Sequence, residues 1–188
     1  MSVALVFLIS FGGVDPNNFT EKVIRNIYEY CNESNIQIIV VAGNGYEKFE
    51  TLKKYENIKI EKNVLNISEY MLKADLIFTS AGRTVYEVAS IGTPTLVLAQ
   101  NKREMTHFFA SEKYGLRNLG LGYELSDKTL FKEFLRLVNS FEIRSQMKTL
   151  MKKQDLKSGR NRVNQIINNE NLWFTWQEFR AFLFCKLF

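Results

Sequence analysis

The 188-residue sequence predicts a doubly wound α/β fold, a Rossmann-like parallel sheet with helices on both faces. Three observations carry that reading. Short continuous apolar runs rich in β-branched residues recur along residues 3–99, as expected for strands buried on both faces. Helical patterns separate them, the order that gives parallel pairing. Finally, Gly-, Ser- and Asn-rich segments follow the runs, where strand-to-helix loops belong.

The elements follow in order. VALVFLIS (3–10) is the first strand, and FTEKVIRNIYEYCNES (19–34) the first helix, with Phe19, Val23, Ile27 and Tyr30 on one face. IQIIVVA (36–42) is the second strand and YEKFETLKKY (46–55) a helix. IKIEKNV (58–64) precedes a short helix near 68–73, and DLIFTS (75–80) precedes a helix over 84–91. TPTLVLA (93–99) is followed by a helix over 104–114 and a weaker stretch, 115–125. From Ser126 onward only helices are expected, over 127–140, 142–154 and 158–169. The organisation is one domain, residues 1–169, with an aromatic C-terminal helix over 170–188. In that tail Leu172, Trp176, Phe179 and Leu183 form a helical stripe, which points to packing on its own domain or to a homodimer.

Composition excludes several classes. No apolar run reaches the roughly 18 residues of a membrane helix. Two cysteines, Cys31 and Cys185, make no disulfide scaffold and point to a reducing, cytoplasmic compartment. Net charge is −2 over residues 1–100 and +7 over 101–188, with the excess between Arg144 and Arg162. Without a nucleic-acid motif, that block reads as a solvated helix face, with an anionic ligand or membrane surface as the other option. His107 is the sole histidine and has no second ligand nearby, so no metal site and no cofactor are expected. No GxSxG elbow exists to support a serine triad.

Right-handed crossovers bring all strand-to-helix loops to the carboxyl edge of the sheet, where such folds bind ligands. Four loops therefore matter. Gly12 and Gly13 open the first, whose glycines allow a phosphate close to the backbone, and Asn18 with Glu21 has capping-box spacing. Gly43-Asn44-Gly45 reads as a turn with positive φ. The third, Ser80-Ala81-Gly82-Arg83, leads into a helix with Glu87 one turn in, either as a dipole partner or as a ribose acceptor. Ala99-Gln100-Asn101-Lys102-Arg103-Glu104 is the fourth, with two amides and two cations suited to sugar hydroxyls and phosphates or to capping the next helix.

SFGGVDPNNFTEKVI, ADLIFTSAGRTVYEVASIGTPTLVLAQNKRE and LKSGRNRVNQII together resemble the C-terminal half of a glycosyltransferase-B (GT-B) protein. The nearest resemblance is to the UDP-sugar hydrolases of pseudaminic acid biosynthesis and the spore-coat polysaccharide biosynthesis proteins. It implies a nucleotide-sugar-binding domain that takes UDP or a UDP-sugar. Gly12 and Gly13 then face the diphosphate, with Ser80, Gly82 and Arg83 beside the nucleotide. Glu87 holds the ribose, and Gln100 and Asn101 face the sugar. Lys102 departs from the family, where glutamine usually follows the asparagine. The resemblance also implies a catalytic N-terminal domain or partner chain, without which this chain does not complete catalysis and its catalytic residue is unassigned. The rival expectation is a non-catalytic binding or interaction module that uses the cleft or the aromatic tail.

Overall fold

Six parallel strands in the order β3-β2-β1-β4-β5-β6 form one sheet in the computed structural model, which describes residues 5–168. The strands are β1 (Val6–Ile9), β2 (Gln37–Ala42), β3 (Ile58–Lys62), β4 (Leu76–Thr79), β5 (Thr95–Ala99) and β6 (Arg117–Leu121). The helices are α1 (Phe19–Glu33), α2 (Ile67–Lys73), α3 (Thr84–Ile91), α4 (Lys102–Met105), α5 (Asp127–Asn139), α6 (Phe141–Lys152) and α7 (Gly159–Asn168). The doubly wound parallel sheet with a C-terminal helical extension is thus present as expected, and the weak stretch 115–125 supplies its sixth strand. The proposed tail helix over 170–188 lies outside the described residues.

Burial on both faces explains the continuous apolar runs. Every residue of β4 and β5 is buried, as are five of the six in β2. Helix α1 buries Phe19, Val23 and Ile27 on the predicted stripe, while Tyr30 packs edge-on against Phe134 of α5 at 5.5 Å. Phe134 also meets Phe7 of β1 at 5.5 Å and Phe78 of β4 at 6.2 Å, which fastens α5 over the middle of the sheet. Burying one such ring is worth roughly 1.5–3 kcal/mol. Helices α2, α3 and α6 pack on one another over the opposite face.

Two predicted helices are corrected. The segment 46–55 holds only a 3₁₀ helix, Phe49–Lys54, in which Leu52 alone is buried. One buried side chain does not anchor a longer amphipathic stripe. The helix expected over 104–114 is broken into α4 and a 3₁₀ turn, Glu112–Tyr114. Between them Phe109 turns inward and stacks between Tyr86 of α3 at 4.6 Å and Tyr114 at 4.7 Å. That tertiary aromatic contact outweighs the local helical preference.

The strand order reverses at β1. The chain first winds outward through β2 and β3, then returns to lay β4 against the other side of β1. The crevice between the carboxyl ends of β1 and β4 is the topological switch point, the ligand position of open α/β sheets. Backbone pairing closes its base, with the Ser10 N–H donating to the Phe78 carbonyl at 2.9 Å.

Candidate functional site

The loops after β1, β2, β4 and β5 meet at this crevice, so Gly12, Gly43, Gly82 and Gln100 share the carboxyl edge. Their contacts are close. The Gly45 N–H donates to the Gly13 carbonyl at 2.9 Å. A Cβ on Gly43 would lie 2.4 Å from the Gly13 Cα and 2.5 Å from the Gly12 carbonyl oxygen. Gly43 is thus required by backbone-on-backbone approach. The positive φ expected of the Gly43-Asn44-Gly45 turn is absent there, and in the neighbouring loop it belongs to Gly12 at +81°. Gly12 and Gly13 are exposed, and a Cβ at either would meet nothing within 4 Å, so this part of the loop faces open space.

Helix α1 begins where expected but by a different device. Asn18 makes no side-chain cap and sits in the left-handed region at φ 55°. The cap is Asp15, buried to 6% exposure. Its carboxylate accepts the Phe19 N–H at 2.9 Å and the Thr20 N–H at 2.8 Å. The first donors of α1 are therefore committed within the protein, and a protein carboxylate already occupies the positive end of that helix. Asn18 instead accepts from the Tyr46 hydroxyl at 2.5 Å and donates to Glu21 at 2.7 Å. Burial, with the Asp15 and Glu21 charges, pushes the Tyr46 phenol pKa well above its ordinary value and keeps it a neutral donor.

Gln100 is as buried as Asp15. Its amide nitrogen donates to Asp15 at 2.9 Å, and its amide oxygen accepts from Asn17 at 2.8 Å. Asn17 also donates to the Gln100 carbonyl at 2.8 Å. Gln100 thereby cross-braces the β1 and β5 loops. Asn101 is exposed, and its side-chain oxygen caps α4 by accepting the Glu104 N–H at 3.0 Å. The two amides expected at the sugar thus have structural partners inside the protein.

The β4 loop differs from the β1 loop. Ser80 is buried at 7% exposure, Gly82 is half-buried, and Arg83 and Glu87 are exposed. Arg83 occupies the N-cap of α3 and provides no side-chain cap. α1, α4, α5 and α6 all have a side chain on their first N–H groups, from Asp15, Asn101, Ser126 and Ser140. Beside the start of α3 sits Glu104, whose Oε2 accepts the Gln100 N–H at 2.8 Å and the Ala81 N–H at 3.2 Å. Its Oε1 would lie 3.8 Å from a Cβ on Gly82. His107 packs at a tilt against Tyr86 at 5.3 Å, and its Nδ1 is buried without a partner among the described residues.

Exposed apolar side chains occur along the carboxyl side of the sheet. Val14, Leu65 and Tyr123 lie in the loops after β1, β3 and β6, and Met105 and Phe108 at and beyond the end of α4; all are 45% or more exposed. A cavity of about 230 Å³, lined by Arg117, Arg136, Leu137, Met147 and Leu150 among others, lies at the amino edge, away from these loops. No group of three or more potential metal ligands gathers among the described residues. No helix among them is long and apolar enough to cross a membrane.

Asp15, Glu104, Asn17 and Tyr46 were not singled out from sequence. Asp15 had a partial signal in the Asp-Pro pair before a helix, but Asn18 competed for the same role at better spacing. Glu104 stood only as a member of the β5 loop: Gln100 and Asn101 are local partners, and the third, Ala81, comes from a loop joined to it only by the fold.

The sequence profile described as the glycosyltransferase family 28 C-terminal domain matches residues 7–163. The uncharacterized protein MJ1062 of Methanocaldococcus jannaschii is 40% identical over 100 residues, 50% of this chain and 21% of that protein. The spore coat polysaccharide biosynthesis protein SpsG of Bacillus subtilis is 27% identical over 143 residues, 73% of this chain and 42% of that protein. The Staphylococcus aureus MnaA structure, solved with UDP, superposes with a TM-score of 0.63 at 13% identity over 86% of this chain and 46% of that one. That likeness is one of fold. Each of these matches spans less than half the length of the similar protein.

Proposed function

We propose a function from one premise: the chain belongs to the glycosyltransferase family 28 C-terminal domain family. It is the nucleotide-sugar-binding domain of a GT-B-type enzyme and takes UDP or a UDP-sugar in the β1–β4 crevice. The observation that carries this is the contrast between two helix starts at the crevice. Asp15 fills that of α1, while α3 has no cap from its own N-cap residue and carries an exposed carboxylate, Glu87, one turn in. The diphosphate lies over Gly82, Arg83 and the first turn of α3, with the Gly12-Gly13 backbone opposite. Arg83 adds a mobile cation, and Ser80 shapes the floor. Glu87 accepts the ribose hydroxyls.

The sugar extends toward the β5 loop. Gln100 acts there by holding the loop, and Asn101 offers the amide N–H groups left over from its cap. The reaction served is transfer or hydrolysis at the sugar–phosphate bond in surface-polysaccharide or nonulosonic acid synthesis. SpsG, a spore coat polysaccharide biosynthesis protein, supports the former setting. A second domain or partner chain closes the cleft. Exposed Val14 after β1 and Met105 in α4 are apolar side chains it would cover.

Calorimetry with UDP tests the reading. A hydrogen bond to a charged group is worth roughly 1.5–3 kcal/mol. Glu87→Ala is therefore expected to weaken UDP about ten- to a hundredfold with the fold intact. Equal affinity in the two proteins rejects the ribose assignment.

A further inference from the structure

Glu104 stands where the diphosphate reading least expects an anion. Its Oε2 holds the Ala81 N–H, next to Gly82, and the Gln100 N–H on the facing loop. Its Oε1 points to the Gly82 side, 3.8 Å from the place a Cβ there would take. The α4 cap by Asn101 fixes the Glu104 backbone, so this carboxylate is held at the crevice by both its main chain and its side chain. The nearby cations, Arg83, Lys102 and Arg103, are all exposed and form no ion pair with it among the described residues.

We propose that Glu104 is a charge discriminator that weakens the binding of free UDP relative to a UDP-sugar. The proposal rests on the nucleotide reading above. With the ribose on Glu87 and the phosphates running back along the start of α3, Glu104 lies at the β-phosphate end of the ligand. The β-phosphate of a UDP-sugar is a diester with one negative charge. In UDP it is a monoester and gains most of a second charge above pH 7, as phosphate monoesters do. A fixed carboxylate beside it repels the product more than the substrate. The same residue braces the β4 and β5 loops, since the Ala81 and Gln100 N–H groups are satisfied by an acceptor at that point. The consequence is functional, because a site that binds its nucleotide product less tightly releases it sooner.

Glu104→Gln separates the two roles. Glutamine keeps an acceptor oxygen for Ala81 and Gln100 and loses the charge. The test is titration of the 188-residue chain and its E104Q variant with UDP and with UDP-N-acetylglucosamine at pH 8 in low salt. E104Q is expected to bind both ligands more tightly, with the UDP-to-UDP-sugar affinity ratio raised about three- to tenfold. In the wild-type chain the same ratio rises toward that of E104Q as salt increases, since screening weakens the repulsion. An unchanged ratio in E104Q, with UDP still bound by the wild type, overturns the discriminator and leaves the nucleotide reading standing. Failure of the wild type to bind either ligand overturns both.

Discussion

Replacing Gly43 with alanine tests how the crevice is built. The new methyl would arrive 2.4 Å from the Gly13 Cα, 2.5 Å from the Gly12 oxygen and 2.6 Å from the Gly13 oxygen. All three are backbone atoms, so no side chain can swing aside, and the β1 loop itself must move. Overpacking of this kind costs about 1–3 kcal/mol. The smaller entropy of the unfolded alanine chain offsets about 0.4–1 kcal/mol of that. With all three contacts to backbone the cost lies toward the upper end, and a net loss of about 2 kcal/mol lowers the melting temperature by about 4–8 °C for a chain of this size. Gly13→Ala is the matched control, because its Cβ meets nothing within 4 Å and its φ is not in the left-handed region. Thermal unfolding followed by circular dichroism should separate the pair, with Gly43→Ala destabilised and Gly13→Ala at or slightly above wild type. Titration should then show UDP weakened in both, through a displaced loop in one and a methyl at the ligand in the other. Equal melting temperatures for Gly43→Ala and wild type would refute the close-approach argument.

Asp15→Ala should be more damaging than an exposed cap loss, since it strands two helix N–H groups and the Gln100 amide in a buried setting. We expect a loss of about 2–4 kcal/mol by urea unfolding, and a loss no larger than that of Asn18→Ala would remove Asp15 from the role. The Glu133 carboxyl is held below its ordinary 4.5 chiefly by its hydrogen bond from Arg117. A depressed carboxyl pKa stabilises the fold above the unfolded value and loses that contribution as pH falls through the folded one. Stability should therefore decline below about pH 4.5, and Glu133→Gln should flatten that decline; parallel pH–stability curves for the two proteins would sink the assignment.

The sheet was legible because burial on both faces writes itself as continuous apolar runs, and β4 and β5 are buried at every position. The start of α1 was also legible, though not its cause. DPNNF offers two capping candidates, and only the three-dimensional position of Gln100 shows that Asp15 is the one enclosed. Gly43 was read as a turn glycine because sequence displays backbone freedom and close approach by the same letter. The helix expected over 104–114 failed for a tertiary reason, the pull of Phe109 into the stack with Tyr86 and Tyr114. The places of Gly12 and Glu87 at the carboxyl edge were legible from their position after a strand, and their proposed roles rest on that position. Residues that act between loops, Gln100 and Glu104, acquire their cross-loop partners only when β5 is laid beside β4 and β4 beside β1.

That distinction shapes how the proposed site would select a ligand. Two helices point their positive ends at the switch point, and each attracts an anion. At α1 the anion is internal: Asp15 is buried, bonded to two N–H groups and tied to the β5 loop through Gln100, so a phosphate competing there would have to displace a carboxylate that also holds the loops together. At α3 the internal carboxylate, Glu104, reaches only Ala81, the residue before Gly82, and makes no hydrogen bond to the first turn itself among the described residues. The two acidic residues thus divide the work: Asp15 makes α1 a fixed wall, and Glu104 borders the start of α3 without closing it. An Asp15→Asn variant follows from this division. It keeps oxygen for one helix N–H and reduces the charge at α1, so it should lower stability while leaving the α3 side, and with it the dependence of UDP binding on Glu87, in place.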